Sequence, residues 1–590
     1  MNRSLAIELA SGDALDVRQL QALESLSTAF RLDVVARSSD AAIDVAAVVG
    51  QKARVEARNA WGSRTWQGVV ARMELVRSEP SGLSTYTIQV APTAWLMTQR
   101  RSHRAFVHRS IPDIVATLLG EWDVPFEKRL QASYSKLPLR VQYGESDFDF
   151  VRRLLAEAGI TFWFEWLDED TRLVLSDAPH TRDAERVVPY VADDTAALGM
   201  PHVTDVAVRA KVVPTRAARR DFDFRRPRYG LEGQASRERG AHPLLEDYRY
   251  APGQSLADAG ESHEPLGDAE GAYRHSDDRA ADRAKIAHES LGAGELKIHF
   301  ATSLVDLAPG SVLRVAGHPH PELAEDRALL VSHGWLSCDV DGAWSAGGQA
   351  LPTRRPFRPS TSLAAAHEAT TSCDPFEPLR AIAKPRIWGV QSAIVTGPEG
   401  EDVHTDEHGR IKLQFAWDRE GRFDGASSPW VRVSQPWAGA GFGAVNLPRV
   451  GQEVLVTFLD GDPDHPVVVG RMFNATAPSP YALPEHKRRT SLKSDSKAGA
   501  NELTLDDTDG AELFYVQAQH DLHKIVRNDE LEHTQGSRHM QVDGDLVLAA
   551  KGNVVIHAGG ELVIKGGPNV KINPSGAPKP PRKPRSLSSK

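Results

Sequence analysis

Between residues 536 and 560 glycine recurs at a strict period of eight, at Gly536, Gly544, Gly552 and Gly560. Each interval alternates. Its second, fourth and sixth positions are Leu546, Leu548 and Ala550, then Val554, Ile556 and Ala558, then Leu562, Ile564 and Gly566. Upstream the same register gives Arg538, Met540 and Val542, and Asn528, which tolerates the left-handed region, stands where a glycine would fall. Alternation of period two is a strand signal, so each octad reads as one short strand and a tight corner, stacked on the next. The inward set is Met540, Val542, Leu546, Leu548, Val554, Ile556, Leu562 and Ile564. It is too sparse for one chain to close a core, and three chains form the smallest closed prism with a corner at each glycine. The pattern predicts an intertwined triple-stranded β-helix in a homotrimer over 500–573. A flat meander packed on its own domain is the alternative.

The rest of the chain has the balance of ordinary folded material. At roughly 150 residues per domain, 590 residues suggest about four domains. With 41% apolar and 25% charged residues, large cores need no help from disulfides or metal. Lys and Arg number 70 against 79 Asp and Glu, and the formal net charge of -9 argues against a chain that coats nucleic acid. Cys338 and Cys373 are no disulfide framework; they read as thiols in a reducing compartment, with one bridge between them left open. The start, MNRSLAIELASGDALDVRQL, holds no apolar run of signal-peptide length, and no run long enough for a membrane span occurs anywhere. The expectation is a soluble chain made in the cytoplasm, any export being left to a machine other than an N-terminal signal.

Residues 1–380 read as mixed α and β. STYTIQVAP (84–92) and LKIHFATSL (296–304) are strands with one wet face. IPDIVATLLGEW (111–122) is a helix with Pro112 in its first turn, and SDFDFVRRLLAEAGI is one capped by Ser146 and stopped at Gly159. Residues 213–283 turn polar and read as long surface excursions, with a helix near 280–291. The Pro-rich stretch 351–386 places a boundary near 380. Over 381–475, short alternating runs separated by Gly, Pro or Asp turns suggest a five-stranded barrel of the OB type. Residues 476–499 read as a linker. Beyond Glu561 no acidic residue occurs, and 574–590 is a disordered basic Pro-rich tail, either a solvated end or a strap for an acidic partner.

No enzyme motif emerges: there is no G-x-S-x-G elbow, no phosphate loop, no H-E-x-x-H and no C-x-x-C. His404 and His408, flanking Asp406 and Glu407, are the best metal candidates, yet they sit between two strands and read as an exposed hairpin tip. His318 and His320 read as a loop, and His557 as an outward position. Paired carboxylates such as Asp506-Asp507 and Asp168-Glu169-Asp170 read as solvated turns. In FWFEW (162–166), alternation puts Phe162, Phe164 and Trp166 on one face, as core or subunit interface and not a base-stacking platform. The expectation is no catalytic site, no metal and no cofactor.

Three stretches carry a family resemblance. QYGESDFDFVRRLLAEAGITFWFE (142–165) contains Glu145, Ser146, Asp147 and Phe148. IVTGPEGEDVHTDEHGRIKLQFAWDREG (394–421), SSPWVRVSQPWAGAGFG (427–443) and LPRVGQEVLVTFLDGDPDHPVVVGRMFNA (447–475) contain Gly397, Pro398, Gly409, Arg410, Trp430, Trp437, Gly461, Asp462 and Pro463. ANELTLDDTDGAELFYVQAQHDLHKIVRNDE (500–530) leads into the octads. Together these resemble VgrG, the spike of the bacterial type VI secretion system, itself similar to the hub and spike of contractile phage tails.

The resemblance implies a mainly β chain: an α+β hub of two barrel-like lobes with helical insertions, an OB-type barrel, and the β-helix. It implies a structural homotrimer that caps a tube of Hcp hexamers and punctures a target membrane when a sheath contracts. Effectors, adaptors and baseplate components would be its other partners, and nucleic acid would not. It would assemble in the bacterial cytoplasm and be delivered outside the cell or into a target cell. IKGGPNVKINPSG (564–576) resembles the blunt tip, which implies that Gly566, Gly567, Pro568, Asn569, Val570, Ile572 and Pro574 seat a PAAR-type protein. No lysozyme domain fits between barrel and β-helix, and no effector domain is expected after it. A phage or extracellular contractile particle is the near alternative, and a glycan hydrolase within the N-terminal region the distant one.

Overall fold

The computed structural model describes residues 4–80, 82–167, 170–192, 199–237, 242, 244–258, 273–340, 344–360 and 383–572, with 575 and 581. Cys373, the boundary near 380, Asp168, Glu169, Pro574 and nearly all of the basic tail lie outside the described residues. The chain divides into two compact units, Met1–Ala438 with Ala444–Asn474, and Gly439–Gly443 with Ala475–Lys590. No helix among the described residues is long and apolar enough to cross a membrane.

The first unit is organised by a 12-stranded sheet. Its main path runs Ser4–Leu9, Lys52–Asn59, Gly62–Ser78, Ser84–Ala91, Arg31–Ser38, Asp16–Ser25, Ala328–Asp339, Ser345–Pro352, Leu296–Thr302 and Val203–Ala210. Asp16–Ser25 pairs antiparallel with Ala328–Asp339, Leu20 opposite Cys338, so the two ends of the N-terminal region share one ladder. Two separate apolar clusters lie along it. One gathers Leu20, Leu32, Tyr86, Leu118, Phe150 and Phe162, the other Val203, Ile298, Leu313, Leu329 and Val331.

The helices form where capping and periodicity place them. Ile111–Glu121 starts at Ser110, whose Oγ accepts the Asp113 N–H at 3.3 Å, and it buries Ile111, Ile114, Val115, Leu118 and Leu119. Asp147–Glu157 starts at Ser146 and buries Phe148, Val151, Leu154 and Leu155. Gly159 follows at φ +70°, a left-handed residue after the helix end that favours glycine.

One expectation changes in this unit. The polar stretch 213–283 is more than surface excursion: Glu232–Ser236, Arg216–Arg220 and Glu246–Tyr250 form a three-stranded sheet against the helix Asp277–Gly292. The contact is made by small residues, Ala217, Ala218, Ala280 and Ala284, all fully buried or nearly so. A Cβ on Gly233 would stand 2.0 Å from the Ala280 carbonyl oxygen, so glycine sets how closely sheet and helix approach. In FWFEW both faces are covered, because Trp163 packs with Leu26, Val174, Val312 and Leu330 in a cluster of its own, while Phe162 and Phe164 join the main core.

The barrel follows with strand order Lys412–Phe415, Gln391–Thr396, Glu453–Phe458, Pro466–Met472 and Arg432–Val433, the last pair parallel and the others antiparallel. Ala393, Val395, Leu413, Phe415, Val454, Val456 and Val468 fill it, and Tyr143 of the preceding domain packs against this core.

In the second unit, Arg489–Lys493, Glu502–Asp506 and Leu513–Gln517 form an antiparallel sheet. Its first strand falls in the stretch read as a linker, and the sheet occupies the start of the region assigned to the β-helix. From 518 to 572 the backbone forms no helix and no strand ladder, and it bends at 519–520, 527–528, 535–536, 543–544, 551–552, 559–560 and 567–568. The eight-residue period is thus a period of backbone geometry. No backbone hydrogen bond joins one octad to another within the chain, so a flat meander does not form. The corner glycines carry no positive φ, and a Cβ on Gly536, Gly544, Gly552 or Gly560 would meet nothing within 4 Å. Left-handed geometry is therefore not what calls for glycine at these corners.

Candidate functional site

Part of the signature lies at a joint between the strand Leu137–Ser146 and the barrel. Ser146 ends that strand and caps the next helix: its Oγ accepts the Asp149 N–H at 3.1 Å and donates to the Asp149 carboxylate at 2.7 Å. Asp147, fully buried, accepts from Arg100 Nε at 2.5 Å, Trp122 Nε1 at 2.9 Å and Gln142 Nε2 at 2.8 Å. Glu145 receives both arms of Arg153 at 2.6 and 3.1 Å, and Arg153 also donates to Glu157 at 3.0 Å. Phe148 meets Phe162 edge to face. These four residues fasten a strand-to-helix turn, and burial raises the Glu145 carboxyl against the lowering effect of Arg153.

From the barrel side, Asp460 (φ +51°) and Gly461 (φ +67°) make two successive left-handed residues that swing Asp462–Pro463–Asp464 back toward the strand. Asp464 Oδ1 accepts the Val141 N–H at 2.7 Å. Lys384 Nζ lies 2.7 Å from Asp462 and 2.5 Å from Asp464, and Arg140 Nη1 is 3.4 Å from Asp464. Gln254 Nε2 donates to Asp462 at 3.2 Å, and His465 Nε2 is 3.9 Å from it.

The electrostatics follow from burial and pairing. Burial alone would raise the Asp462 carboxyl, but the charge of Lys384, with hydrogen bonds from Lys384 and the Asp464 N–H, outweighs it and holds the group well below the usual carboxylate range. Glu157, opposed by burial and favoured by Lys384, Arg153 and Arg140, is held at about 2. Burial would lower Lys384, yet Asp462, Asp464 and Glu157 keep it above its ordinary value. Burial lowers His465, which favours the neutral ring. Burial also lowers Arg279 and Arg283 to about 10, leaving both charged at neutral pH.

An aromatic seam runs beside the charges. His103 meets Tyr143 edge to face at 4.7 Å, and Tyr143 meets Trp417 at 6.0 Å. Gln391 bridges them, donating to Tyr143 Oη at 2.6 Å and accepting from Trp417 Nε1 at 2.8 Å. Arg104 reaches Glu420 at 2.8 Å.

The other signature residues shape the barrel. A Cβ on Gly397 would sit 2.8 Å from His404 Cβ, and His404 stacks near Trp430 at 4.7 Å. Pro398 opens that loop. Asp406 accepts the N–H groups of His408 and Arg410 at 3.1 and 2.8 Å and the Arg410 Nε at 2.7 Å, with Gly409 (φ +68°) between them. His408 lies against Phe224. The His404–His408 run is therefore a loop fastened by its aspartate and two aromatic rings. Trp437 is largely exposed. His318 and His320 cap their loop, accepting the His320 and Glu322 N–H groups. Asp506, read with Asp507 as a solvated turn, instead ends the strand Glu502–Asp506 with its side chain largely buried, accepting from Arg489 and Thr508. Among the described residues no group of three or more His, Cys, Asp or Glu is placed to hold a metal ion.

Along the octads, Met540, Val542, Leu546, Leu548, Val554, Ile556, Leu562 and Ile564 are all exposed, as are the intervening Val547, Val555 and Val563. One chain alone does not separate an inner from an outer row, for His557 or for the aliphatics. At the end, a Cβ on Gly566 would stand 2.8 Å from the Asn569 carbonyl oxygen, and Gly567–Pro568 occupy the next bend of the series. Val570 and Ile572 then take the second and fourth positions of a further octad. Lys384, Arg140 and Asp464 were not singled out from the sequence; the signal available was a lysine in AKPR and the second aspartate of GDPDH.

Comparison with known proteins covers all these regions. Residues 23–334 match the phage tail baseplate hub (GPD) family, 393–473 the type VI secretion system/phage-baseplate injector OB domain, and 489–570 the bacteriophage T4 gp5 C-terminal trimerisation domain. The chain is 31% identical over 533 residues to the type VI secretion system spike protein VgrG1c of Pseudomonas aeruginosa, spanning 88% of this chain and 68% of that one. It is 30% identical to VgrG1a of the same organism, over 88% and 77%, and 32% identical to VgrG4b, over 90% and 64%. In fold it resembles the E. coli c3393 protein, a type VI secretion component similar to T4 tail proteins gp27 and gp5. That match has a TM-score of 0.55 at 21% identity and covers 80% of this chain and 100% of that one. It also resembles a chain of the Francisella PdpA-VgrG complex, with a TM-score of 0.51 at 9% identity over 88% and 80%.

Proposed function

Given that this chain belongs to the VgrG family of type VI secretion system spike proteins, we propose that three copies wind their octads into one rigid β-helical shaft. One observation carries the reading. The backbone keeps its eight-residue bends from 519–520 to 567–568 while every aliphatic octad side chain stays exposed and no ladder forms within the chain. Backbone groups and apolar rows of this kind are satisfied together only by neighbouring strands. Three chains supply them and leave no strand edge free.

The work is mechanical. The hub sits on a tube of Hcp hexamers, sheath contraction supplies the free energy, and the shaft crosses a target membrane. The charged joint at Lys384, Asp462 and Asp464 passes the thrust from hub to barrel without a hinge. A PAAR-type protein caps the end at Gly566–Pro574, with Val570 and Ile572 as its apolar seat, and the particle assembles in the cytoplasm before delivery. Cargo proteins ride on this assembly; the capture of a Francisella VgrG together with PdpA supports such loading. An actin cross-linking toxin of Vibrio cholerae is another relative, of which this chain covers 40%, and no such activity is assigned to this chain.

Light scattering tests the assembly. Full-length protein is expected at three times the chain mass, whereas protein ending near 475 falls to a lower state. A full-length monomer at micromolar concentration overturns the reading. The hub family is shared with phage tails, and co-purification with an Hcp-type tube protein separates the two settings.

A further inference from the structure

The second, fourth and sixth positions change character along the shaft. From Met540 onward they are aliphatic or small, but upstream they read Leu522, Lys524, Val526, Glu530, Glu532, Thr534 and Arg538. Four ionic side chains therefore occupy the row that becomes apolar one octad later. They are paired: Lys524 Nζ reaches Glu530, and Arg538 Nη1 lies 2.8 Å from Glu532. Both pairs obey one rule, joining the fourth position of an octad to the second position of the next, across the bends at 527–528 and 535–536. Two lysine or arginine residues meet two glutamates, so any number of copies is neutral.

Resting on the trimeric reading above, we infer that Lys524, Glu530, Glu532 and Arg538 form an ionic ring around the shaft axis that fixes the register of the three chains, the occupant of each chain's charged row being the same row of a second copy. An octad repeat is degenerate, because sliding one strand by eight residues keeps every bend and corner in place. A purely aliphatic row would tolerate that slip. With the ionic ring, a slip of one octad sets Glu532 level with Met540 and Arg538 level with Leu546, so that each ion pair faces the apolar side chains of its neighbours and loses the complementary charges of the other copies. A polar layer that costs stability yet selects one register is the best-attested use of buried charge. Charge complementarity within the row favours another copy over any foreign partner.

Charge reversal in the full-length protein tests this, read as the fraction of trimer by light scattering and as heat resistance at low and high salt. Lys524→Glu is expected to reduce the recovered trimer by roughly tenfold or more. The double reversal Lys524→Glu with Glu530→Lys is expected to restore it. Lys551→Glu, at an odd position, is expected to leave it unchanged. A Lys524→Glu protein that assembles and melts like the parent overturns the ring, as does a double reversal no better than the single one, or a Lys551→Glu protein equally impaired. If the parent itself is monomeric, the trimeric reading falls first, and the ring with it.

Discussion

Lys384 places its ammonium 2.5 Å from the fully buried carboxylate of Asp464, whose other oxygen accepts the backbone N–H of Val141 at 2.7 Å. One barrel aspartate thereby joins a lysine from the segment entering the barrel to a strand of the hub. Replacing Asp464 with Asn removes the charge and leaves Lys384 with Asp462 alone. Replacing Lys384 with Met is expected to be worse, because two buried aspartates then face each other. The cost of breaking a buried pair is about 3–5 kcal/mol. Denaturant unfolding followed by Trp fluorescence is expected to show the loss, with Lys384→Met the less stable of the two.

The same joint makes stability depend on pH. Glu157 is held at about 2, below its ordinary 4.5, and Asp462 is also depressed, so their stabilisation is present above pH 4.5 and fades as the pH falls toward 2. His465 is depressed below 6.5, so the unfolded chain takes up its proton first and the loss begins near pH 6.5. Lys384 is raised above 10.5, so its contribution is present below pH 10.5 and fades above it. Melting temperature against pH is expected to form a plateau that falls below about 6.5. His465→Gln is expected to remove the early part of that fall, and an unchanged profile would sink the assignment.

Ser146→Ala removes the cap of the helix Asp147–Glu157 while leaving its apolar face intact. A loss of about 1 kcal/mol is expected. Ser146→Asp, which keeps an acceptor, is expected to recover most of it in the same denaturant measurement.

Ile556→Asp puts three charges around one axis in an aliphatic layer, each without a partner. Size-exclusion chromatography is expected to show no native trimer. A native trimer would show that Ile556 faces outward and that the octad register is shifted by one residue.

Incubation with purified peptidoglycan is expected to release no soluble fragments. Turnover abolished by substituting a single carboxylate would place an enzyme within the N-terminal region.

Local signals served where each residue's role depended on near neighbours. Ser146 as a cap, Gly159 as a stop and the alternation of Ser84–Ala91 and Leu296–Thr302 all rest on interactions within a few residues. The small sheet against Asp277–Gly292 stayed hidden because alanine and glycine make its contact. Close approach at Gly233 and Ala280 buries little side chain and leaves no apolar periodicity to find. Alternation across FWFEW assigns Trp163 to the face opposite Phe162 and Phe164 without saying whether that face is wet. Here Leu26, Val312 and Leu330 cover it, from sequence positions up to about 170 residues away.

The sequence by itself determined the octad repeat, since an eight-residue period is a property of consecutive residues and the backbone bends follow it one for one. It determined the helices through their caps and the barrel through its turn spacing. Only the tertiary structure decided that Asp16–Ser25 lies beside Ala328–Asp339, and that Lys384, Arg140, Glu157, Asp462 and Asp464 share one buried site. Pairing over three hundred residues leaves no local pattern, and a charged side chain looks the same in sequence whether it is solvated or paired. Its burial is set by the groups that fold against it.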